Sequence, residues 1–361
     1  MSGTAPTLVA PSASWLQGKT VLVTGCTSGI GEALALQLAD HKPKKMWIMA
    51  RSQRKADAMQ EVLNSKGVQS QVVLANLDAP GEILEAVQTV VASGEPLHLV
   101  VSNAGIFSQK QTNGGPFLID GIEQHFLINF FSMVLLVRGL QPLLEASSTD
   151  KEPARIVITG SFTTWSFVQG QAQLDNLHGN GPGGTECPSG KGKNSRMYAQ
   201  SKLLQHMWAK KLATQLQNGV VVAVFDPGLV GTNLENLARA KRSLGCCWPC
   251  VQYALGIRTP DNGAAPGVYC STSPDLIGNS GQFVTWGVAS TTARRPCKME
   301  YYPNYKTTAP STNDPQQLDR LWAYSEELRE AEIKKKTEGS GEQPAAAAAA
   351  ADVANPLQAR A

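Results

Sequence analysis

Charge is scarce in this chain. Of its 361 residues only 17% are charged, and 32 basic residues nearly balance 29 acidic ones, for a net charge of +3. Such a balance excludes the basic footprint of a nucleic-acid-binding protein. Histidines number five and do not cluster. A structural zinc site needs four ligands, so no metal is expected, although Cys247 and Cys250 have C-x2-C spacing. The seven cysteines are an odd number and no secretory signal opens the chain. Both facts point to a reducing compartment rather than a disulfide framework. No stretch reaches the roughly 18 uninterrupted apolar residues that a membrane span requires. The longest candidate, Phe126 to Leu140, is broken by Asn129, Ser132, Arg138 and Gly139. A cytoplasmic site of action is the simple reading, with an organelle or a peripheral membrane surface as the alternative. What the chain does have is 42% hydrophobic residues, enough for a sizeable core.

Both ends read as poor in structure. Residues 1–18 are rich in Ser, Thr, Ala and Pro, hold no acid, and have no base before Lys19, so a disordered leader is expected. A transit peptide would be Arg-rich. Residues 334–361 run through Gly-Ser-Gly into alanines and read as a low-complexity tail, unstructured or loosely helical. The expected domain is therefore 19–333.

That domain opens on strand, glycine turn and helix. Thr20 to Thr24 is apolar and β-branched. Gly25-Cys-Thr-Ser-Gly29-Ile-Gly31 follows, and Glu32 to Asp40 has helical periodicity. This is the context of a phosphate-binding loop: the glycines let the backbone approach a pyrophosphate, and the helix N-terminus supplies N–H donors. A second strand, Met46 to Ala50, ends in Arg51-Ser52, where an acid would bind the ribose hydroxyls of NAD. Arg51 instead can fork onto the 2′-phosphate of NADP, so NADP(H) is the expected cofactor. Gln71 to Ala75 reads as a third strand, Pro80 to Ser93 as a helix, and Leu97 to Ser102 as a fourth strand ending in Asn103-Ala104-Gly105. The alternation predicts a doubly wound α/β domain with a parallel sheet, ligands lying at the carboxyl ends of its strands.

Farther along, Tyr198 and Lys202 lie four residues apart on an expected helix and so share a face. A free phenol titrates near pH ~10. A cation beside it favours the phenolate and is expected to bring its pKa toward neutrality, the layout of a general acid/base.

Together these residues resemble the short-chain dehydrogenase/reductase family, from about Lys19 to Trp286. The carriers are Thr24-Gly25-x3-Gly29-x-Gly31, Asn103-Ala104-Gly105, Ser161 after the strand Arg155 to Thr159, Tyr198-x3-Lys202, and Pro227-Gly228 with Thr232. Within the family the chain is most similar to the retinol dehydrogenase and protochlorophyllide reductase branch. Leu174-Asp175-Asn176-Leu177 before Tyr198, the Tyr-x-Gln-Ser-Lys wording, Arg258-Thr259-Pro260-x2-Gly263-Ala264 and Leu321-Trp322 carry that placement.

The resemblance implies a Rossmann-type fold and a catalytic set. Tyr198 would give a proton to the substrate oxygen. Lys202 would lower its pKa and bond the nicotinamide ribose. Ser161 would hydrogen-bond the carbonyl oxygen, and Asn129 would steady a water relay to Lys202. It implies a cofactor cradle of Gly25, Thr27, Ser28, Gly29, Ile30, Gly31, Arg51, Asn76, Leu77, Asn103, Ala104, Gly105, Tyr198, Lys202, Pro227, Gly228, Val230 and Thr232. Two residues depart from the pattern. Asn76 replaces an Asp that meets the adenine amine, a bond an amide oxygen can also accept. Ser28 replaces a second basic residue of some NADP-using relatives, leaving Arg51 with the phosphate. Pairing through the helices that carry Asn129 and Tyr198 is common in the family, so a monomer or a homodimer is expected.

Two segments should shape the pocket. The insertion 163–196 is rich in Gly, Ser, Asn and Lys, with Trp165 and Phe167 nearest Ser161. The segment 232–258 reads as an apolar lid through Leu234, Leu237, Leu244 and Cys246-Cys247-Trp248-Pro249-Cys250, or as an interfacial patch in peripheral membrane contact. His206, one turn past Lys202, is expected to pack against a neighbouring element. The expected activity is hydride transfer between NADP(H) and a lipophilic carbonyl or alcohol of retinoid or steroid type. The alternatives are a cofactor-binding regulator without turnover and a pigment reductase of the protochlorophyllide kind.

Overall fold

A computed structural model describes residues 15–108, 110–112, 115–166, 168–177, 193–231, 257–286, 299–302 and 310–340. The first fourteen residues, the centre of the insertion, and the lid from 232 to 256 with Thr232 and the cysteine run lie outside them. So do Phe167 and the alanine tail.

Strands β1 (Thr20–Thr24), β2 (Lys45–Ala50), β3 (Gln69–Leu74) and β4 (Leu99–Ser102) alternate with helices α1 (Gly29–Asp40), α2 (Gln53–Ser65) and α3 (Pro80–Ala92). Two-residue strands β5 to β8 then make two small hairpins, Gln111–Thr112 with Gly115–Pro116 and Leu118–Ile119 with Ile122–Glu123. After a π-helical turn, Phe126–Phe131, come α4 (Ser132–Ser147), β9 (Arg155–Thr159), the short α5 (Thr163–Ser166), α6 (Lys193–Leu212) and β10 (Val221–Phe225). The main sheet is completed by β11 (Gln282–Trp286) and β12 (Met299–Tyr302), in the order β12-β11-β10-β9-β4-β1-β2-β3. Seven strands are parallel and β12 runs antiparallel to β11 at the edge. The third strand starts two residues before its expected position.

β1, β4, β9 and β10 are buried along their whole length. Burial on both faces is why these strands read as continuous apolar runs rather than alternating ones. Their side chains still divide by parity: Leu22, Ile156 and Ile158 join the core under α3, α4 and α6, while Val21, Val23 and Val157 join the core under α1 and the helix Pro260–Thr272. Each such side chain contributes roughly 1.5–3 kcal/mol by leaving water.

The expected domain limits, residues 19 and 333, are overrun at both ends. Leu16 is fully buried in the core and the Gly18 N–H donates to the Lys42 carbonyl, so the fold begins before Lys19. The last helix, Pro315–Ser340, runs through residue 334 and past it, with Lys336 reaching Glu85 and Gln88. This helix lies against α6, α3 and α4. Trp322 stacks on Trp208 at 5.6 Å, Arg138 pairs with Glu326 at 2.9 Å, and Trp208 Nε1 donates to Ser325 Oγ. The segment Phe126–Ser147 is long and apolar enough to cross a membrane, but 72% of its apolar window is buried inside the fold. Packing rather than lipid accounts for its composition.

Candidate active site

Parallel topology places every strand's carboxyl end on one edge of the sheet. Gly25 to Gly31, Arg51, Asn76 and Leu77, Asn103 to Gly105, Ser161 and Pro227 to Val230 all follow such ends. The structure therefore gathers the expected residues, apart from Thr232, along a single rim.

The first turn is built for close approach. Gly25 and Gly29 adopt φ of 67° and 61°, left-handed values that suit glycine. A Cβ on Gly31 would stand 2.2 Å from the Gly25 carbonyl oxygen and 2.3 Å from Asn103 Nδ2. The N-cap Ser28 makes no side-chain capping bond. The first-turn N–H groups of α1 are thus left to an outside acceptor, which is the geometry an anionic pyrophosphate requires. Asn103 locks this turn to its neighbours: Thr24 Oγ1 accepts from the N–H groups of Asn103 and Ala104 at 3.0 and 2.9 Å, and Thr159 Oγ1 donates to Asn103 Oδ1 at 3.1 Å. The residues present fit a dinucleotide. Arg51 is exposed and makes no ion pair among the described residues. The Asn76 N–H donates to Glu82 at 2.8 Å, which ties the end of β3 to α3.

Tyr198 and Lys202 project from one face of α6. The Lys202 ammonium lies 5.9 Å from the Tyr198 ring centre and donates to the Thr159 carbonyl at 2.8 Å. The Ser161 hydroxyl lies near the Tyr198 phenol and lowers its pKa. Ser161 Oγ accepts from Thr163 Oγ1 at 2.9 Å. The expected downward shift of the phenol is not what this geometry produces. Burial pushes Tyr198 up to about 12, against the Ser161 hydroxyl that lowers it and with the Asp226 carboxylate raising it further. Burial pushes Lys202 down to about 7. Loss of water around both groups sets both directions, raising the phenol and lowering the ammonium, so Tyr198 is held in its acid form.

Asn129 sits in the π-helical turn, fully buried. Its Oδ1 accepts from the Ile106 N–H at 2.7 Å, and its Nδ2 donates to the Ile106 carbonyl and to Ser201 Oγ, each at 3.0 Å. These bonds fasten the loop after β4 to α6. The Asn129 carbonyl accepts from Gln205 Nε2 at 2.6 Å. Wider π turns leave carbonyls outside the regular ladder, and Gln205 takes this one.

Four further residues were missed from the sequence. Glu123 is buried and accepts from the N–H groups of His125 and Phe126, both at 2.9 Å, and pairs with His125 Nδ1 at 2.7 Å. His125 Nε2 accepts from the Ser108 N–H at 3.1 Å, and its ring meets Tyr198 edge-on at 6.1 Å. Phe107 does the same from another side at 5.1 Å. These two rings wall in the phenol. A Glu just before a helix is a visible N-terminal signal, but its reach to Tyr198 is not. Asp226 accepts from the Gly228 N–H at 3.0 Å and from Thr285 at 3.2 Å, and burial raises its pKa. Arg258 lies against Gly228, and its backbone pairs with Leu229 and Gly231. His206 packs against Phe283 at 4.9 Å, and burial pushes it down to about 3, which removes it from proton transfer. Among the described residues no cluster of metal-ligating side chains exists.

Comparison with known proteins agrees with this geometry. The short chain dehydrogenase family profile matches residues 19–172. A polyprenol dehydrogenase of Danio rerio is 30% identical over 284 residues, covering 74% of this chain and 78% of that protein. The chain belongs to the short-chain dehydrogenase family. Retinol dehydrogenase 13 of Homo sapiens is 26% identical over 327 residues, covering 88% of this chain and 86% of that one. The fold itself matches Pseudomonas aeruginosa RhlG in an NADP complex, with a TM-score of 0.59 at 21% identity over 77% of this chain and 97% of that one. L-sorbose reductase of Gluconobacter frateurii, with NADPH and L-sorbose, gives 0.59 at 20% identity over 77% and 98%. This short-chain dehydrogenase is thus an oxidoreductase of the retinol dehydrogenase-like branch, acting between carbonyl and alcohol with a nicotinamide cofactor.

Proposed function

We propose that the protein is an NADP(H)-dependent reductase of a lipophilic carbonyl compound, with Tyr198 as general acid/base. The observation that carries the reading is Tyr198 and Lys202 on one helix face, the phenol walled in by Phe107 and His125 and the ammonium held by the Thr159 carbonyl, beside a turn shaped for a pyrophosphate. The bound cofactor supplies or accepts the hydride. Everything else falls to the chain. Ser161 and Tyr198 hold the substrate oxygen between two hydroxyls, where charge develops as the carbonyl is reduced. Tyr198 gives its proton to the forming alkoxide, which is far more basic than a phenolate. Lys202 spends one donor on the Thr159 carbonyl, and its other hydrogens can reach a ribose hydroxyl. Asn129 keeps the loop after β4 and α6 in register, and any water relay toward Lys202 would run past Gly105, which lies between them.

A lipophilic substrate is supported by the rim. Phe162, next to Ser161, and Leu229, next to Gly228, are 40% and 42% exposed. They follow the ends of the neighbouring strands β9 and β10, and Phe107 meets the Tyr198 ring edge-on. The relatives named for retinol and polyprenol act on lipids of this kind. Such a substrate makes peripheral membrane contact the alternative to a cytoplasmic site of action. The last helix packs against α4 and α6. A screen of retinoid, steroid and long-chain carbonyls, followed by NADPH absorbance with NADH in parallel, tests the reading. Turnover confined to small polar carbonyls would remove the lipophilic substrate.

Preference for NADP(H) rests on Arg51. An Arg51→Asp variant should raise the KM for NADPH at least tenfold, by loss of a forked contact and gain of repulsion, while the KM for NADH changes little. Equal NADPH preference in wild type and variant would take Arg51 out of the site.

A further inference from the structure

At the opposite edge of the sheet, where β9 begins, Arg155 is 1% exposed. Its Nη1 donates to the Cys270 carbonyl at 3.1 Å. Its Nε and Nη2 are buried and meet no acceptor, and neither does Trp15 Nε1. Guanidinium and indole form one stack, 4.5 Å from carbon to ring centre. Three donor nitrogens on these two stacked groups are thus buried with no acceptor among the described residues.

The charge is unbalanced as well. Glu152 is taken by Lys19 at 3.0 Å. Burial pushes the Cys270 thiol up, so it holds its proton beside Arg155. Tyr269 is likewise pushed up to about 12, and its hydroxyl donates to Asp275. His98, on the adjoining segment, is driven toward its neutral form by burial and by Lys19. No carboxylate among the described residues pairs with Arg155, and residues 1–18, which lead into Trp15, contain no acid. Burial accordingly draws Arg155 down to about 10. A buried, unpaired cation is strongly unfavourable. Water could accept from the donors but would leave the charge standing.

We propose that Arg155 and Trp15 form a buried binding site for a small monoanion, of halide or formate size, which closes the N-terminal edge of the sheet. Such an anion answers both deficits together, accepting from Arg155 Nε and Nη2 and from Trp15 Nε1 while neutralising the guanidinium. The site is remote from the catalytic rim, so its role is structural: it joins the segment before β1 to β9 and to the helix Pro260–Thr272.

Bromide is the probe. Crystals of the full chain soaked in sodium bromide should show an anomalous peak within hydrogen-bond reach of Arg155 and Trp15 Nε1. In solution at constant ionic strength, replacing gluconate by bromide should give a saturating rise in Tm of about 3–6 °C. Arg155→Met should abolish the rise. Should that variant not fold, Trp15→Phe keeps the stacked ring and removes one donor, and its half-saturating bromide concentration should increase about tenfold. A water or a carboxylate of the chain itself in the density would overturn the site. So would a Tm rise that fails to saturate, one that persists in Arg155→Met, or unchanged half-saturation in Trp15→Phe.

Discussion

Tyr198→Phe should lower kcat for carbonyl reduction about 10²–10⁴-fold, the usual contribution of a positioned acid. Binding of NADPH should hold within about threefold, because the ring still packs between Phe107 and His125 and Lys202 still bonds Thr159. Single-turnover rates and the fluorescence of bound NADPH separate the two effects. The pH dependence follows from the directions of the shifts. With the phenol pushed up to about 12, its acid form is fully present at neutral pH, so the reductive rate should not fall until well into the alkaline range. The oxidative direction needs the phenolate, the minority form, and its rate should climb as pH rises over the same range. Lys202, titrating near 7 in these surroundings, adds a second and weaker inflection there. Wild-type turnover within tenfold in Tyr198→Phe would show that this phenol is not the acid and would favour a cofactor-binding role.

The candidate site's rim was legible because each piece is a short motif following an apolar strand, and parallel topology carries strand ends to one edge without further information. Tyr198 and Lys202 needed only helical spacing. Their proton affinities were not legible: spacing shows that an ammonium stands near a phenol, but not how much water each has lost, and desolvation decides the direction here. Glu123, His125 and Asp226 were missed for a related reason, since their significance lies in partners such as Ser108 and Thr285 brought near by tertiary packing. The same holds for Trp208 and Trp322, whose stacking converts a charged C-terminal segment into a cover for α6. Low-complexity composition left the segment past Lys334 open between coil and helix, and the polar leader hid Leu16, because one buried side chain leaves no periodic signal.

Gly31→Ala should be the most damaging single methyl group among the described glycines. The new Cβ would lie 2.2 Å from the Gly25 carbonyl oxygen and 2.3 Å from Asn103 Nδ2. Neither is the free end of a flexible side chain. Gly25 is held at φ 67° with its own Cβ position 2.9 Å from Ala104, and Asn103 is tied to Thr24 and Thr159. To relieve the contact α1 must move away from the loop after β4, and the N–H groups that face the pyrophosphate move with it. Overpacking of this kind costs about 1–3 kcal/mol in stability. Displacement of the cradle should raise the Kd for NADPH at least tenfold, about 1.4 kcal/mol in binding. Gly81→Ala is the control: its Cβ would meet nothing within 4 Å, its φ is not left-handed, and it lies in the first turn of α3. That change should be neutral or mildly stabilising, since alanine favours helix. If Gly31→Ala bound NADPH as tightly as Gly81→Ala, with an equal Tm, the turn after β1 would not be the pyrophosphate cradle, and the cofactor would have to enter the fold elsewhere.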